Sequence, residues 1–335
     1  MPGRNYRVSL AKFTTAAFAG DFGIPVKYRL PHVMICPARA LVVTMVLTVL
    51  CCLSARAQFS YKTGIDVAGF TVTVVDRDGE TIKNLRADDF EVREDGVAQA
   101  VTYFVAGDED EAVPLHIGLL FDTSESMDKD LAFSRNAAIR FLKTFSTAVD
   151  FTLVEFSDDV RASRFSQSEF PRLVERIRGS KAKGRTSLYD AVSVYLGSAF
   201  DQTGRKVLVI FTDGDDTSSS RRWDEIVRLL RASDTTVYPI GFLSNRGSPR
   251  LMLQSKLMEI GRLTGGRAMF PGAMKELDAM YATIATEIQG QYVLGYVPTN
   301  TARDGKWRKV EIKLKRPSSD RIQLRTREGY FAPVK

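Results

Sequence analysis

Residues 115–126 constrain the fold of this chain more than any other stretch, because they join an apolar run to a cluster of side-chain oxygens. The run Leu-His-Ile-Gly-Leu-Leu-Phe predicts a buried strand. It ends directly at Asp122, and Ser124 and Ser126 follow at alternate positions. Carboxylate and hydroxyl oxygens at a strand end are ligands for a hard metal ion.

Two later stretches offer matching oxygens. Residues 184–190 read Gly-Arg-Thr-Ser-Leu-Tyr-Asp, and residues 207–214 read Val-Leu-Val-Ile-Phe-Thr-Asp-Gly. The second is another apolar run that stops at an aspartate, Asp213. In an open parallel sheet, ligand sites form beyond the carboxyl ends of the strands. We therefore expect Asp122 and Asp213 to lie at one edge of such a sheet.

With these three stretches the chain resembles the von Willebrand factor type A domain, whose metal-ion-dependent adhesion site uses an Asp-x-Ser-x-Ser loop, a Thr and a second Asp. The resemblance implies five metal-site residues: Asp122, Ser124, Ser126, Thr186 and Asp213. It also implies that the two serines bind the ion directly, and that the other three act directly or through water. One coordination position then stays open for an acidic side chain of a partner protein.

Two carboxylates and three hydroxyls, without nitrogen or sulfur, favour Mg²⁺, with Mn²⁺ and Ca²⁺ as alternatives. Two positions depart from the family pattern: Glu125 and Arg185 stand where glycine is frequent. Neither departure removes a ligand. Both change the charge beside the site and so bear on the choice of partner.

Simpler interpretations exist for several of these residues. A serine after a strand often caps the next helix, so Ser126 or Asp128 could be a cap. Thr-Asp-Gly at 212–214 could be a turn. We expect the remaining polar candidates to be structural: Asp190 as a helix residue or outer acceptor, Asp215 and Asp216 as a solvated loop or cap, and His116 as a strand residue.

The charge and the cysteines are concentrated at the start of the chain. The net charge is +7, but residues 1–57 hold seven basic residues and one acid, which leaves 40 basic and 39 acidic residues from Gln58 onward. This near balance argues against a nucleic-acid partner. All three cysteines lie before Gln58, and only one histidine follows it. Cysteine nucleophiles, thiolate zinc sites and multi-histidine sites are therefore excluded from the part after Gln58.

Residues 40–53 form an apolar segment after Arg39 and run into Ala55-Arg56-Ala57. This pattern predicts a secretory signal peptide cleaved after Ala57, and hence a secreted or periplasmic protein. Fourteen apolar residues are shorter than the roughly 20 that span a bilayer, so the alternative, a retained membrane anchor, is disfavoured. Met34 would give a more conventional start with a short basic region than Met1 does.

Strands that alternate with helices between residues 111 and 290 predict an α/β domain with a doubly wound, mostly parallel sheet. Short alternating runs on either side predict β-structure. We expect residues 58–110 and 291–335 to form one sandwich-like domain of about seven strands, into which the α/β domain is inserted. These flanks resemble those of exported bacterial proteins that contain a von Willebrand factor type A domain.

Three functions fit these features. The first is an exported, metal-dependent, non-enzymatic module for adhesion or assembly. The second is a Mg²⁺-dependent hydrolase, which is less favoured because the sequence offers no spaced second aspartate, general base or phosphate-binding glycine loop. The third is a metal-independent envelope scaffold. Contact with a membrane is expected only through an uncleaved signal segment.

Overall fold

The computed structural model describes residues 67–107, 113–242, 248–315 and 322–334. The predicted signal segment and the proposed cleavage after Ala57 lie outside these residues. The described strands are β1 (Ala68–Val75), β2 (Phe90–Glu94), β3 (Val97–Gln99), β4 (Tyr103–Val105), β5 (Leu115–Asp122), β6 (Asp150–Phe156), β7 (Val160–Ser166), β8 (Arg205–Thr212), β9 (Thr236–Gly241), β10 (Tyr292–Tyr296), β11 (Trp307–Leu314), β12 (Gln323–Arg325) and β13 (Gly329–Phe331). The α-helices are α1 (Leu131–Lys143), α2 (Phe170–Gly179), α3 (Leu188–Ala199), α4 (Trp223–Ala232), α5 (Ser248–Thr264) and α6 (Leu277–Gln289).

The central sheet has the strand order β7-β6-β5-β8-β9. Strands β6, β5, β8 and β9 run parallel, and β7 is an antiparallel edge strand. Every residue of β5 and of β8 is buried, because helices cover both faces of the sheet. The predicted α/β fold with a doubly wound, mostly parallel sheet is confirmed.

Successive side chains of a strand point to opposite faces of the sheet. Alternate residues of β5 therefore belong to the two hydrophobic cores on either side of it. Leu119 and Phe121 belong to the core with α1, α2 and α6, whereas Leu120 belongs to the core with α3, α4 and α5. In the first core, the Phe141 and Tyr281 rings stack with centroids 4.8 Å apart and join α1 to α6.

Strands from the two ends of the described chain form two antiparallel sheets, in the orders β12-β1-β10-β4 and β13-β11-β2-β3. Their shared core includes Phe70, Val72, Phe90, Leu294 and Ile312. The α/β domain is therefore inserted between the two segments of an all-β domain, as predicted. The described residues contain eight β-domain strands rather than about seven, because a tight turn at Asp95-Gly96 with positive φ angles pairs the short β3 with β2.

The chain passes into and out of the α/β domain at two adjacent points. Strand β4 precedes it and β10 follows it, and Val105 pairs with Val293. Beyond this pair, Gly107 packs on Gly290 so closely that a Cβ on Gly107 would lie 2.4 Å from the Gly290 carbonyl carbon. Only glycine allows this approach.

No helix in the described ranges has both the length and the apolar character needed to cross a membrane.

Candidate metal centre

Asp122 ends β5 and is completely buried. Its Oδ1 atom accepts a hydrogen bond from the Ser124 N–H at 2.8 Å, and its Oδ2 atom accepts one from the Thr212 hydroxyl at 2.6 Å. Burial raises the pKa of Asp122 to about 6, even though these hydrogen bonds lower it. The fold therefore holds a carboxylate that is costly to ionise in the absence of a cation.

Ser124, Ser126 and Asp213 form a continuous chain of polar contacts. The Ser124 and Ser126 hydroxyl oxygens are 3.1 Å apart, and the Ser126 hydroxyl donates to Asp213 Oδ1 at 2.7 Å. Asp213 is partly buried, and its burial raises its pKa. The loops that follow β5 and β8 thus bring four of the five predicted site residues together.

Thr186 lies in the loop between α2 and α3, and backbone hydrogen bonds attach this loop to the loops that follow β5 and β8. The Lys183 N–H donates to the Thr123 carbonyl at 2.8 Å, and the Thr217 N–H donates to the Thr186 carbonyl at 2.8 Å. The Thr186 side chain is buried, and its Oγ1 lies 3.4 Å from where a Cβ on Gly214 would be. All five predicted residues therefore occupy one edge of the sheet.

The charge balance of this edge fits a divalent cation. Within the described residues, neither Asp122 nor Asp213 forms an ion pair with a lysine or an arginine. Each carboxylate is bonded only to hydroxyl and amide donors, and the negative charge of Asp213 adds to the raised pKa of Asp122. Carboxylate and hydroxyl oxygens are a suitable donor set for Mg²⁺, and two aspartates balance its charge.

The capping interpretation does not describe the Ser126 side chain. Helix α1 begins at Leu131 after Asp130, and in this described segment no side chain makes a capping hydrogen bond to its first turn. The Ser126 hydroxyl is directed to Asp213 instead. Residues 212–214 do form a turn, because the Gly214 N–H donates to Thr212 Oγ1 at 3.3 Å. Asp213 within this turn also accepts the Ser126 hydroxyl.

Thr212 is the site residue that the sequence interpretation missed. Its hydroxyl donates to Asp122 and also lies 3.1 Å from the Gly214 carbonyl, so it joins two strand ends. The available signal was a hydroxyl residue at the end of a buried strand, directly before Asp213. It was not decisive, because threonine is common in strands for reasons of packing alone.

The other polar candidates support the loops. Asp216 accepts hydrogen bonds from the Tyr189 N–H at the start of α3 and from the Ser219 hydroxyl, so it is a cap, as expected. Asp190 lies in the first turn of α3 and accepts bonds from the Ser220 and Arg221 N–H groups. These bonds hold the loop after β8 against α3.

His116 lies at the other end of β5 from Asp122. Its Nδ1 is 3.1 Å from Asp150 Oδ1, and its Nε2 is 3.1 Å from the Thr203 carbonyl. These contacts agree with the structural role expected for this residue.

Comparison with known proteins identifies the α/β region. A family model, the von Willebrand factor type A domain, matches residues 116–267. No curated protein sequence matches the chain. Similar solved structures include a von Willebrand factor type A protein from Catenulispora acidiphila, with 12% identity and a TM-score of 0.46, covering 82% of this chain and 75% of that one.

Two others cover less of this chain. The PilB minor pilin from Streptococcus sanguinis has 15% identity and a TM-score of 0.43, covering 53% of this chain and 62% of that one. The vWF domain of the type V pili tip protein Mfa5 from Porphyromonas gingivalis has 10% identity and a TM-score of 0.43, covering 52% and 95%. The sequence match and the sheet described above agree with each other: residues 116–267 form a von Willebrand factor type A domain.

Proposed function

We propose that this protein is an exported, divalent-metal-dependent protein-binding module for adhesion or assembly. In this proposal Asp122, Ser124, Ser126, Thr186 and Asp213 hold Mg²⁺, with Mn²⁺ and Ca²⁺ as alternatives. An open coordination position takes an acidic side chain of a partner protein. The observation that carries the proposal is the convergence of these five oxygen-bearing side chains around two carboxylates that have no cationic partner in the described residues.

Electrostatics supports a cation at this position. Burial disfavours the ionised form of both aspartates, and nearby negative charges add to this effect, from Asp213 on Asp122 and from Asp130 on Asp213. A divalent ion would offset both effects, since it supplies two positive charges within contact distance. The same charge would attract a partner's carboxylate to the exposed side of the ion.

The proposal assigns the site no catalytic step. Two aspartates and three hydroxyls are enough to hold an ion, and a partner carboxylate completes its coordination without a bond being broken. The secreted or periplasmic location follows from the signal segment predicted before Gln58, and the partner is a protein rather than a nucleic acid.

Titration of the full chain with Mn²⁺ and Mg²⁺ tests the metal. Asp122→Ala removes a carboxylate and Ser126→Ala removes a hydroxyl, and both should weaken binding while the protein stays folded. Asp278→Asn is the matched control, because this exposed carboxylate pairs with Arg140 on the helical surface. A wild-type protein without divalent-ion affinity in the millimolar range or tighter would contradict the proposal.

Retention of partner proteins from an envelope fraction tests whether the metal-loaded site binds a partner. Partners held by the site should be released by EDTA and should be lost from Asp122→Ala. Retention that is undiminished in EDTA would instead favour a metal-independent scaffold.

A further inference from the structure

Arg185 stands at the rim of the candidate metal centre, one residue before Thr186. Its side chain is 71% exposed, and its Nε donates to Asp158 Oδ1 at 2.9 Å. Consecutive Cα atoms are about 3.8 Å apart, so the backbone of Arg185 adjoins that of a proposed ligand. Asp158 follows β6, the strand beside β5, and therefore lies at the same edge of the sheet.

Asp158 fixes the loop that carries Arg185. The backbone and side chain of Arg185 both bond to this carboxylate, and they lower its pKa. Gly184 has a φ of +80°, and a Cβ there would lie 2.2 Å from Asp158 Oδ2. Glycine at 184 thus lets the carboxylate pack under the loop. The Gly184 carbonyl in turn accepts the Glu125 N–H at 2.9 Å, which connects Arg185 to the loop after β5.

The two terminal nitrogens of the Arg185 guanidinium remain available to a ligand. Within the described part of the chain, Nη1 and Nη2 of Arg185 make no hydrogen bond. A guanidinium presents its N–H groups as a planar fork that matches a carboxylate. The pairing of Nε with Asp158 restricts the side chain while the terminal donors face solvent.

The rim of the candidate metal centre carries a negative side chain, Glu125, and a positive one, Arg185. Glu125 is exposed between Ser124 and Ser126, and its carboxylate forms no ion pair with any described residue. An acidic partner would therefore be repelled on the Glu125 side and attracted on the Arg185 side. The charges favour one orientation of the partner over the opposite one.

We propose that Arg185 is a second anchor for the partner, which binds through two carboxylates close together in its sequence. The first carboxylate completes the coordination of the metal and the second pairs with the Nη groups of Arg185. The preferred partner is thus a di-acidic segment rather than a single aspartate or glutamate. This inference rests on the proposed function, since it needs an ion at the candidate metal centre.

The test uses the full chain loaded with Mn²⁺ and follows the relaxation of water protons, which changes when a carboxylate displaces water from the ion. The probes are blocked peptides with one aspartate, or with two aspartates separated by zero, one or two glycines. We expect at least one di-acidic peptide to bind wild-type protein about fivefold more tightly than the mono-acidic peptide, as for an exposed charge pair.

Arg185→Ala should reduce that preference to within about twofold, and Arg185→Lys should keep part of it, because a lysine retains the charge without the fork. Mn²⁺ affinity should be unchanged or slightly higher in Arg185→Ala, which a loss of loop structure would not give. Arg161→Ala is the matched control, because it removes an exposed arginine that pairs with Asp159, the neighbour of Asp158. It should keep the preference.

The outcomes separate this inference from the proposed function. If wild-type protein binds no Mn²⁺, the proposed function fails and this inference fails with it. If Mn²⁺ binds but no di-acidic peptide is preferred, or if the preference survives in Arg185→Ala, the metal centre stands and the role of Arg185 is refuted.

Discussion

The hydroxyl of Thr212 donates to the Oδ2 atom of Asp122 at 2.6 Å, and this bond joins the carboxyl ends of β8 and β5 beneath the candidate metal centre. Thr212 and Asp122 are both completely buried. Because no cation in the described residues pairs with Asp122, this hydroxyl is one of the few groups that stabilise its negative charge.

Thr212→Val should therefore weaken metal binding while keeping the fold. Valine fills the same volume in a buried strand but cannot donate to Asp122, so the pKa of Asp122 should rise further and Mn²⁺ should bind about tenfold less tightly. Isothermal titration with Mn²⁺ at neutral pH measures the change. Thr152→Val, at a buried threonine of β6, is the control. Equal Mn²⁺ affinity in Thr212→Val and wild type would contradict this role.

Asp122→Asn should stabilise the metal-free protein at neutral pH. Burial raises the pKa of Asp122 from 3.8 to about 6. The folded state therefore holds this proton more tightly than the unfolded state, and the free energy of unfolding decreases as the pH rises through that window, by about 3 kcal/mol. Asparagine can accept from the Ser124 N–H and donate to Thr212, whose hydroxyl can then donate to the Gly214 carbonyl.

Urea unfolding in EDTA at pH 7.5 and at pH 4 measures this effect. The variant should be more stable than wild type by about 1–3 kcal/mol at pH 7.5, and the difference should largely disappear at pH 4. Mg²⁺ should stabilise wild type only. A variant that is less stable than wild type at pH 7.5 in EDTA would show that the carboxylate itself supports the fold.

Metal affinity should depend on pH because a proton and the ion compete for Asp122. Above pH 6 the carboxylate is ionised and the affinity should be nearly constant. Below that value, affinity should fall by about tenfold per pH unit for each proton displaced. Mn²⁺ titrations at pH 7.5, 6 and 5 check this expectation, and constant affinity down to pH 5 would exclude Asp122 as a ligand.

Removal of residues 291–335 should unfold the first β-segment and leave the α/β domain intact. Phe70 and Val72 lose their partners Leu294 and Tyr292 in β10, whereas the strand pairs of β5, β6, β8 and β9 are with one another and with β7. Hydrogen exchange should show loss of protection in β1 to β4 and not in the α/β domain. Stable folding of residues 58–110 by themselves would contradict a shared β-domain.

The signal segment predicts a mature chain that begins at Gln58. Intact-mass measurement of protein from the periplasm or the medium tests this, and a chain that retains residues 40–53 would refute cleavage.

Much of the fold was predictable because apolar runs have the period of the element that they form. The runs at 115–121 and 207–212 were long, apolar and followed by aspartates, so both strands and their common edge could be predicted. The bonds that close the site could not. Lys183 N–H to Thr123 O is a backbone contact between residues 60 positions apart, and no side-chain pattern encodes it. The same holds for Arg185, in the loop between α2 and α3, and Asp158, in the loop between β6 and β7, which meet only through the tertiary packing of these loops.

The contact between Gly107 and Gly290 determines how mechanical load would pass through this protein. A partner that pulls on the α/β domain pulls on both of its chain ends at once, and those ends leave side by side through β4 and β10. Tension is then divided between two strands that are hydrogen-bonded to each other, rather than carried by one peptide tether. The sandwich behind them also receives the force through the strand β10, which is flanked on both sides by other strands. Such a double attachment suits a module whose bond to its partner must hold while it is pulled.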